Sequence, residues 1–271
     1  MKTVFTIIPQ FLKDPQAFYQ SVQKNQDLKG KAFSLFISSV IFLMIYGLAT
    51  GLSHSWQQGL ATAVKMPILF LMTLAFTLPA LYFFALALLN VRFSVGQASV
   101  VVLSGIGVSA FLLLGLAPVT FFFVFTSTNY AFFQLLAVVF VAISGFTGLY
   151  YILKGFRYVD LDGELSGNSF GNILLKCWVG LYGFVGAQMT WRLSPLIGDP
   201  SMPFFLLRPS RDNFFVDVSN AAQQALGITN TNFSSAFYIG VVVLLIIAFV
   251  VFTLPKRKEN KSVPQPLAVK E

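Results

Sequence analysis

Few side chains in this sequence could carry out nucleophilic, acid–base or metal chemistry. His54 is the only histidine and Cys177 the only cysteine. A single histidine argues against a Ser-His-Asp triad or a histidine-based metal site, and a single cysteine excludes an intramolecular disulfide. We read His54, which follows an apolar run and precedes Trp56, as a loop residue at the membrane interface and not as a ligand. The sequence thus predicts no enzymatic activity and no catalytic, cofactor-binding or metal-binding residues.

The acidic side chains closest to a metal-ligand pattern lie in one short charged connection. Asp160, Asp162 and Glu164 alternate along the chain and could supply oxygen ligands to a hard cation. Their spacing does not match the calcium loop of an EF-hand. A solvated turn, paired with the nearby Lys154 and Arg157, is the interpretation that we favour.

Lys176 is the one cation that falls inside a predicted membrane span. An ionisable residue within a span is by default a functional hypothesis, so a role in transport is one interpretation. The other is that its flexible stem carries the ammonium group to the polar end of the helix, about two turns away.

The elements that must position these residues are membrane helices. The chain is 56% hydrophobic and only 10% charged, whereas soluble domains are about one quarter charged. Apolar runs of about 20 residues can each cross a hydrocarbon core of ~30 Å. We predict an all-α polytopic membrane helix bundle (residues 32–254) of about six transmembrane helices, at 32–51, 66–89, 98–116, 131–153, 172–189 and 236–254.

Small residues and prolines predict where the helices of this bundle pack closely, kink or end. Stretches of Gly and Ser that let helices approach closely are predicted as packing faces: Gly47 and Gly51, then Gly105, Gly107 and Ser109, then Ser144, Gly145 and Gly148, and Gly180, Gly183 and Gly186. Pro79 is expected to kink the second span. Pro118 is expected to close the third, before a Phe-rich loop over 120–130.

The N-terminal segment, residues 1–31, is predicted to be cytoplasmic. Asp14 and Pro15 suit the N-cap and first position of a short helix over 15–25. Its apolar face, with Phe18 and Val22, predicts a helix lying on the membrane surface; an ordinary solvated helix is the alternative. Lys65, at the edge of the second span, is expected to reach the lipid headgroups.

The longest polar interval, 191–235, is where we expect a specific surface. Its prolines predict an irregular loop over 194–209, and an apolar stripe predicts an amphipathic helix over 213–226. Arg208 and Arg211 could hold a lipid phosphate, or fix the loop through ion pairs with nearby aspartates. The candidate partner- and lipid-binding residues are Trp191, Arg192, Arg208, Arg211, Asn213, Phe214 and Phe215.

Cations predict the orientation. Six spans place both termini on one side, and 14 of the 18 Lys and Arg residues then fall on that side. Because cytoplasmic loops carry the excess of cations, both termini are expected to be cytoplasmic, with 191–235 on the opposite face. Residues 255–271 are predicted to form a disordered basic tail.

Two sequence runs carry a family resemblance. The run Phe11-Leu12-Lys13-Asp14-Pro15-Gln16-Ala17-Phe18-Tyr19, followed by a Phe/Gly-rich bundle, resembles bacterial members of the Yip-type membrane protein family over roughly residues 5–190. The segment from Trp191 to Phe215 is similar to a pattern in uncharacterised bacterial multi-span proteins. The resemblance implies a non-catalytic bacterial inner-membrane protein. The chain departs from the Yip pattern in having six expected spans instead of five and no long N-terminal region.

These observations predict a non-enzymatic integral membrane protein that organises or assembles with membrane partners through residues 191–227. Membrane lipids, together with a membrane protein or a second copy of the chain, are the expected partners. A small-solute or ion transporter or channel is the alternative. Nucleic acid is not an expected partner, because the cations cluster beside spans and form no basic stripe with interleaved aromatics.

Overall fold

A computed structural model describes residues 2–89, 93–126, 130–160, 169–198, 203–207 and 214–226. Within these residues the chain is all-helical, with eight helices and no strand. They are α1 (Lys2–Lys13), α2 (Pro15–Gln23), α3 (Leu28–Gly51), α4 (Trp56–Leu89), α5 (Val95–Thr126), α6 (Tyr130–Val159), α7 (Ser169–Arg192) and α8 (Phe214–Leu226). The helices pack around a core to which α1 and α2 contribute as well as the long helices.

Four of the described helices are long and apolar enough to cross a membrane: Leu28–Gly51, Trp56–Phe84, Val95–Thr126 and Tyr130–Val159. They correspond to the first four predicted spans. The predicted fifth span lies within α7, which does not reach the same hydropathy, and the sixth, 236–254, lies outside the described residues, as does the tail. An integral membrane protein is the class that these helices support.

Two predicted boundaries were wrong. Pro118 does not end the third span, because α5 continues through it to Thr126 and absorbs most of the predicted Phe-rich loop. A proline inside an apolar helix costs one hydrogen bond, whereas ending the helix in an apolar environment would leave several backbone groups unpaired. The second predicted span likewise begins too late, since α4 starts ten residues earlier, at Trp56.

The N-terminal segment contains two helices that pack into the bundle. Asp14 accepts a hydrogen bond from the Ala17 backbone N–H at 3.0 Å, and Pro15 opens α2, as the sequence predicted. Tyr19 and Val22 are fully buried, so this face of α2 packs into the bundle. The preceding helix α1, which was not predicted, lies against α3 and adds to the same core. The position of α2 on the membrane surface stays a prediction.

Hydrogen bonds hold this N-terminal hairpin in place. The Tyr19 hydroxyl donates to the Tyr151 carbonyl of α6 at 2.7 Å and lies 3.1 Å from the Ser104 hydroxyl of α5. The Gln97 side-chain amide donates to the last carbonyls of α2, those of Val22 and Gln23, at 3.2 and 3.1 Å. Gln97 therefore caps the C-terminus of α2, which joins the hairpin to the start of α5.

Glycines set the closest helix contacts. A Cβ atom at Gly47 or Gly51 would lie 2.5 Å from the carbonyl oxygen of Thr62 or Gln58, so α3 and α4 meet backbone to backbone. A Cβ atom at Gly105 would lie 2.6 Å from the carbonyl oxygen of Gly148, where α5 crosses α6. The predicted packing roles of these four glycines are confirmed.

The glycine repeat of α7 behaves differently from the prediction. Among the described residues nothing lies within 4 Å of a Cβ atom built at Gly180 or Gly183, and Gly186 makes only an ordinary contact with Thr73. The face that α7 turns toward α4 is instead marked by Trp178, whose indole N–H donates to the Thr77 carbonyl at 2.8 Å. These pairs show that α7 runs antiparallel to α4.

Candidate functional site

The candidate site is the end of the bundle where the loop after α7 meets the start of α4. Gln58, Thr62 and Lys65 follow one another at helical spacing, so their side chains lie on one face of α4. The Thr62 hydroxyl donates to the Leu196 carbonyl at 2.7 Å. The Gln58 amide and the Lys65 ammonium both donate to the Pro195 carbonyl, at 2.7 and 2.9 Å. Three side chains of one helix thus bind consecutive carbonyls of the loop.

A fourth side chain fixes the same loop from α6. The Tyr130 hydroxyl donates to the Ile197 carbonyl at 3.2 Å. Tyr130 is the first residue of α6, and the adjacent 52–55 turn joins α3 to α4, so this loop lies at an end of the bundle. The loop conformation over 193–198 is irregular, as its prolines predicted, but side chains from two long helices hold it.

His54 lies directly beneath this loop. A Cβ atom at Gly198 would lie 2.5 Å from His54 Cγ, so only a glycine allows this approach. The His54 Nδ1 atom is 3.0 Å from the Ser55 hydroxyl, which also accepts a hydrogen bond from the Gln58 backbone N–H. The histidine is therefore part of the packing between the turn and the loop, which agrees with a loop position at the end of the bundle.

Lys65 corrects the sequence analysis. It was expected to extend its ammonium to the headgroups, but it is only 5% exposed and its ammonium binds the Pro195 carbonyl. The prediction failed because the polar face of α4 is covered by a loop 130 residues further along the chain. The spacing of Gln58, Thr62 and Lys65, which places three polar side chains on one face of α4, was the signal in the sequence for a covered polar face.

The predicted partner-binding residues divide between described and undescribed parts of the chain. Trp191 and Arg192 end α7, where the Arg192 guanidinium lies 5.5 Å from the centre of the Trp191 ring and is exposed. Phe214 and Phe215 begin α8. Arg208, Arg211 and Asn213 lie outside the described residues.

Beyond the held loop, a short irregular segment exposes large apolar side chains. Residues 203–207 are all exposed, and Leu206 and Leu207 reach 61% and 56%. The segment also includes Phe204 and Phe205, so four consecutive apolar residues are accessible. A contiguous exposed apolar patch of this kind marks a protein or membrane contact more often than a scattered exposed leucine does.

A helix is present where the amphipathic helix was predicted. Its bounds, Phe214–Leu226, fall within one residue of the expected 213–226. Ala221 and Ala222 of the predicted apolar stripe are buried, whereas Asn220 and Gln224 on the predicted polar side are exposed. The helix contacts α6 and α7.

The other candidate residues are placed apart from this site. Lys176 is partly exposed on α7, and Asp160 is buried just after α6, with Asp162 and Glu164 outside the described residues. No group of three potential metal-ligating side chains occurs within the described ranges.

Comparisons of the chain with protein-family models, curated proteins and solved structures found no match.

Proposed function

We propose that this chain is a non-catalytic integral membrane protein that assembles with a membrane partner through the surface formed by residues 191–227. The observation that carries the proposal is the exposed apolar segment Phe204–Leu207, in the same 191–227 interval as a loop over 193–198 that α4 and α6 hold. Phe204, Phe205 and Arg192 are all exposed, and aromatic residues and arginine are enriched in protein interfaces.

The proposed topology has six spans with both termini in the cytoplasm. Thr73 contacts Gly186, Thr77 binds Trp178, and Lys65 binds Pro195 just after α7. This antiparallel packing against α4 supports α7 as a fifth span. The lower hydropathy of α7 reflects its glycines and Lys176, not a shorter length. The distribution of cations then orients the 191–227 surface away from the cytoplasm.

The test is site-specific photocrosslinking from Leu206, with a photoreactive residue at Ile143 as the matched control. Both side chains are apolar and more than half exposed, but Ile143 lies on the outer face of α6. We expect a discrete protein adduct from Leu206 and not from Ile143, and the same partner in stoichiometric amounts after purification into lipid nanodiscs. Homogeneous protein without a partner, or identical adducts at both positions, would refute the proposal.

A transporter or channel is the second candidate, and the burial of Lys65 is the observation that favours it. Buried cations in membrane proteins often lie on transport pathways. The discriminating measurement is proton flux into pyranine-loaded liposomes that contain the wild type, Lys65→Met or Lys176→Met. A transporter that uses Lys65 should lose proton flux in Lys65→Met and keep it in Lys176→Met. The assembly proposal expects wild-type flux no greater than that of empty liposomes.

A further inference from the structure

Two side-chain donors of α4 converge on a single oxygen atom. Lys65 Nζ lies 2.9 Å and Gln58 Nε2 lies 2.7 Å from the Pro195 carbonyl oxygen. The Gln58 amide is also 3.2 Å from the Thr62 hydroxyl, which fixes its orientation. The two donors therefore hold the Pro195 carbonyl from α4, and Lys65 keeps two further N–H donors beside it.

A neutral carbonyl is a poor match for the charge and the hydrogen-bonding capacity of this site. Lys65 is 5% exposed, forms no ion pair with a carboxylate among the described residues, and uses one of its three N–H donors. Gln58 is completely buried, and its Oε1 atom has no hydrogen-bond partner within the described part of the chain. Buried charges in proteins are normally paired, and buried polar atoms are normally hydrogen-bonded.

We propose that Lys65 and Gln58 form a binding site for a phosphate-type oxyanion that also carries a hydroxyl group. One anionic oxygen accepts from the Lys65 N–H donors that the Pro195 carbonyl does not use, so the loop remains held. The hydroxyl donates to Gln58 Oε1. The anion supplies Lys65 with a counter-charge, and the hydroxyl supplies Gln58 Oε1 with a donor, neither of which the described residues provide.

The position of the site fits a headgroup phosphate. Lys65 binds the 193–198 loop, which also contacts Tyr130, the first residue of α6, so the site lies at an end of the bundle and near the headgroups. Phosphatidylglycerol, with a phosphate and two free hydroxyls, has the required chemistry, and inorganic phosphate has it in soluble form. The inference needs only the membrane class, not the partner surface.

The test uses the full-length protein in detergent and native mass spectrometry with phosphatidylglycerol or phosphatidylcholine. Loss of a charge-assisted hydrogen bond corresponds to about tenfold or more in affinity. We therefore expect the wild type and Lys176→Met to prefer phosphatidylglycerol by about tenfold, and Lys65→Met to lose that preference. If inorganic phosphate competes with the lipid and raises the melting temperature by itself, the soluble anion is the ligand.

A second variant keeps the test valid if Lys65→Met does not fold. Gln58→Glu places a carboxylate beside the ammonium as an internal counter-ion and should abolish the preference, so a Gln58→Glu variant that keeps the preference overturns the proposal. Equal retention of phosphatidylglycerol by Lys65→Met, Lys176→Met and wild type overturns the proposal. A wild type that distinguishes neither lipid and does not bind inorganic phosphate overturns it too. Neither result depends on the Leu206 crosslink, so the two proposals can fail separately.

Discussion

Replacing Gly148 by alanine should separate α5 from α6, whereas the same change at Gly145 should not. A Cβ atom at Gly148 would lie 2.6 Å from the Gly105 carbonyl oxygen and would also overlap the Ser109 hydroxyl. At Gly145, one helical turn away, no described atom lies within 4 Å. The two substitutions add the same methyl group to the same helix, so Gly145→Ala is a matched control.

The expected magnitude follows from these distances. Ordinary Cβ contacts are 3.4–4 Å, so the backbone of α5 must move by several tenths of an ångström, and overpacking of this kind costs about 1–3 kcal/mol. The Ser109 hydroxyl, which donates to the Ser144 carbonyl at 2.9 Å, must also rotate; an interhelical bond in a membrane contributes ~0.6 kcal/mol. Alanine favours the helix over glycine by up to ~1 kcal/mol at both positions. We expect Gly148→Ala to be about 2–3 kcal/mol less stable than Gly145→Ala.

The assay is reversible unfolding by SDS in mixed micelles, followed by far-UV circular dichroism. Gly145→Ala should unfold at the wild-type SDS fraction or slightly above it, and Gly148→Ala clearly below it. If the unfolding free energies of the two variants agree within about 0.5 kcal/mol, the close crossing of α5 and α6 does not contribute the stability that we assign to it.

Two further substitutions test side-chain hydrogen bonds between helices. Tyr19→Phe removes the bonds to Tyr151 and Ser104 and should cost about 1 kcal/mol in the SDS assay. Burial raises the pKa of Tyr19 above its usual value, so the folded protein keeps the neutral hydroxyl while Tyr19 in the unfolded chain ionises at about pH 10. The free energy of unfolding should therefore fall above that pH, and it should fall less steeply in Tyr19→Phe. Parallel pH profiles for the wild type and Tyr19→Phe would contradict this. Trp178→Phe leaves the Thr77 carbonyl without its indole donor and should also cost about 1 kcal/mol, an effect that unchanged stability would exclude.

Helix positions in the bundle were predictable where the signal is local. Asp14 and Pro15 mark the start of α2 because capping depends on neighbouring residues alone. The first four spans were predictable because hydropathy over ~20 residues is also a local property. The end of α5 was not, since continuing a helix past Pro118 depends on the apolar surroundings of residues 119–126.

Glycine patterns predicted which helices pack closely, but not which glycine of a patch makes the contact. Gly145 and Gly148 stood together as candidates, and only Gly148 lies against α5. The three-residue spacing turns the two positions by ~60° around the helix axis, which is enough to move one of them away from the neighbouring helix. The sequence gives the spacing, whereas the direction of the neighbouring helix depends on the rest of the bundle.

The two lysines show why distance from the end of a span does not decide whether a cation reaches solvent. Lys65 lies just outside a predicted span and is buried, whereas Lys176 lies within one and is partly exposed. Snorkelling requires that the face of the helix around the lysine be open along the path of the stem. On α4 that path is closed by Pro195, because Gln58 and Thr62 bind the same loop. Polar residues at one turn and at two turns before a lysine near the end of a span therefore predict that another part of the chain covers that face of the helix. On a covered face the ammonium requires a partner within the protein or a bound anion.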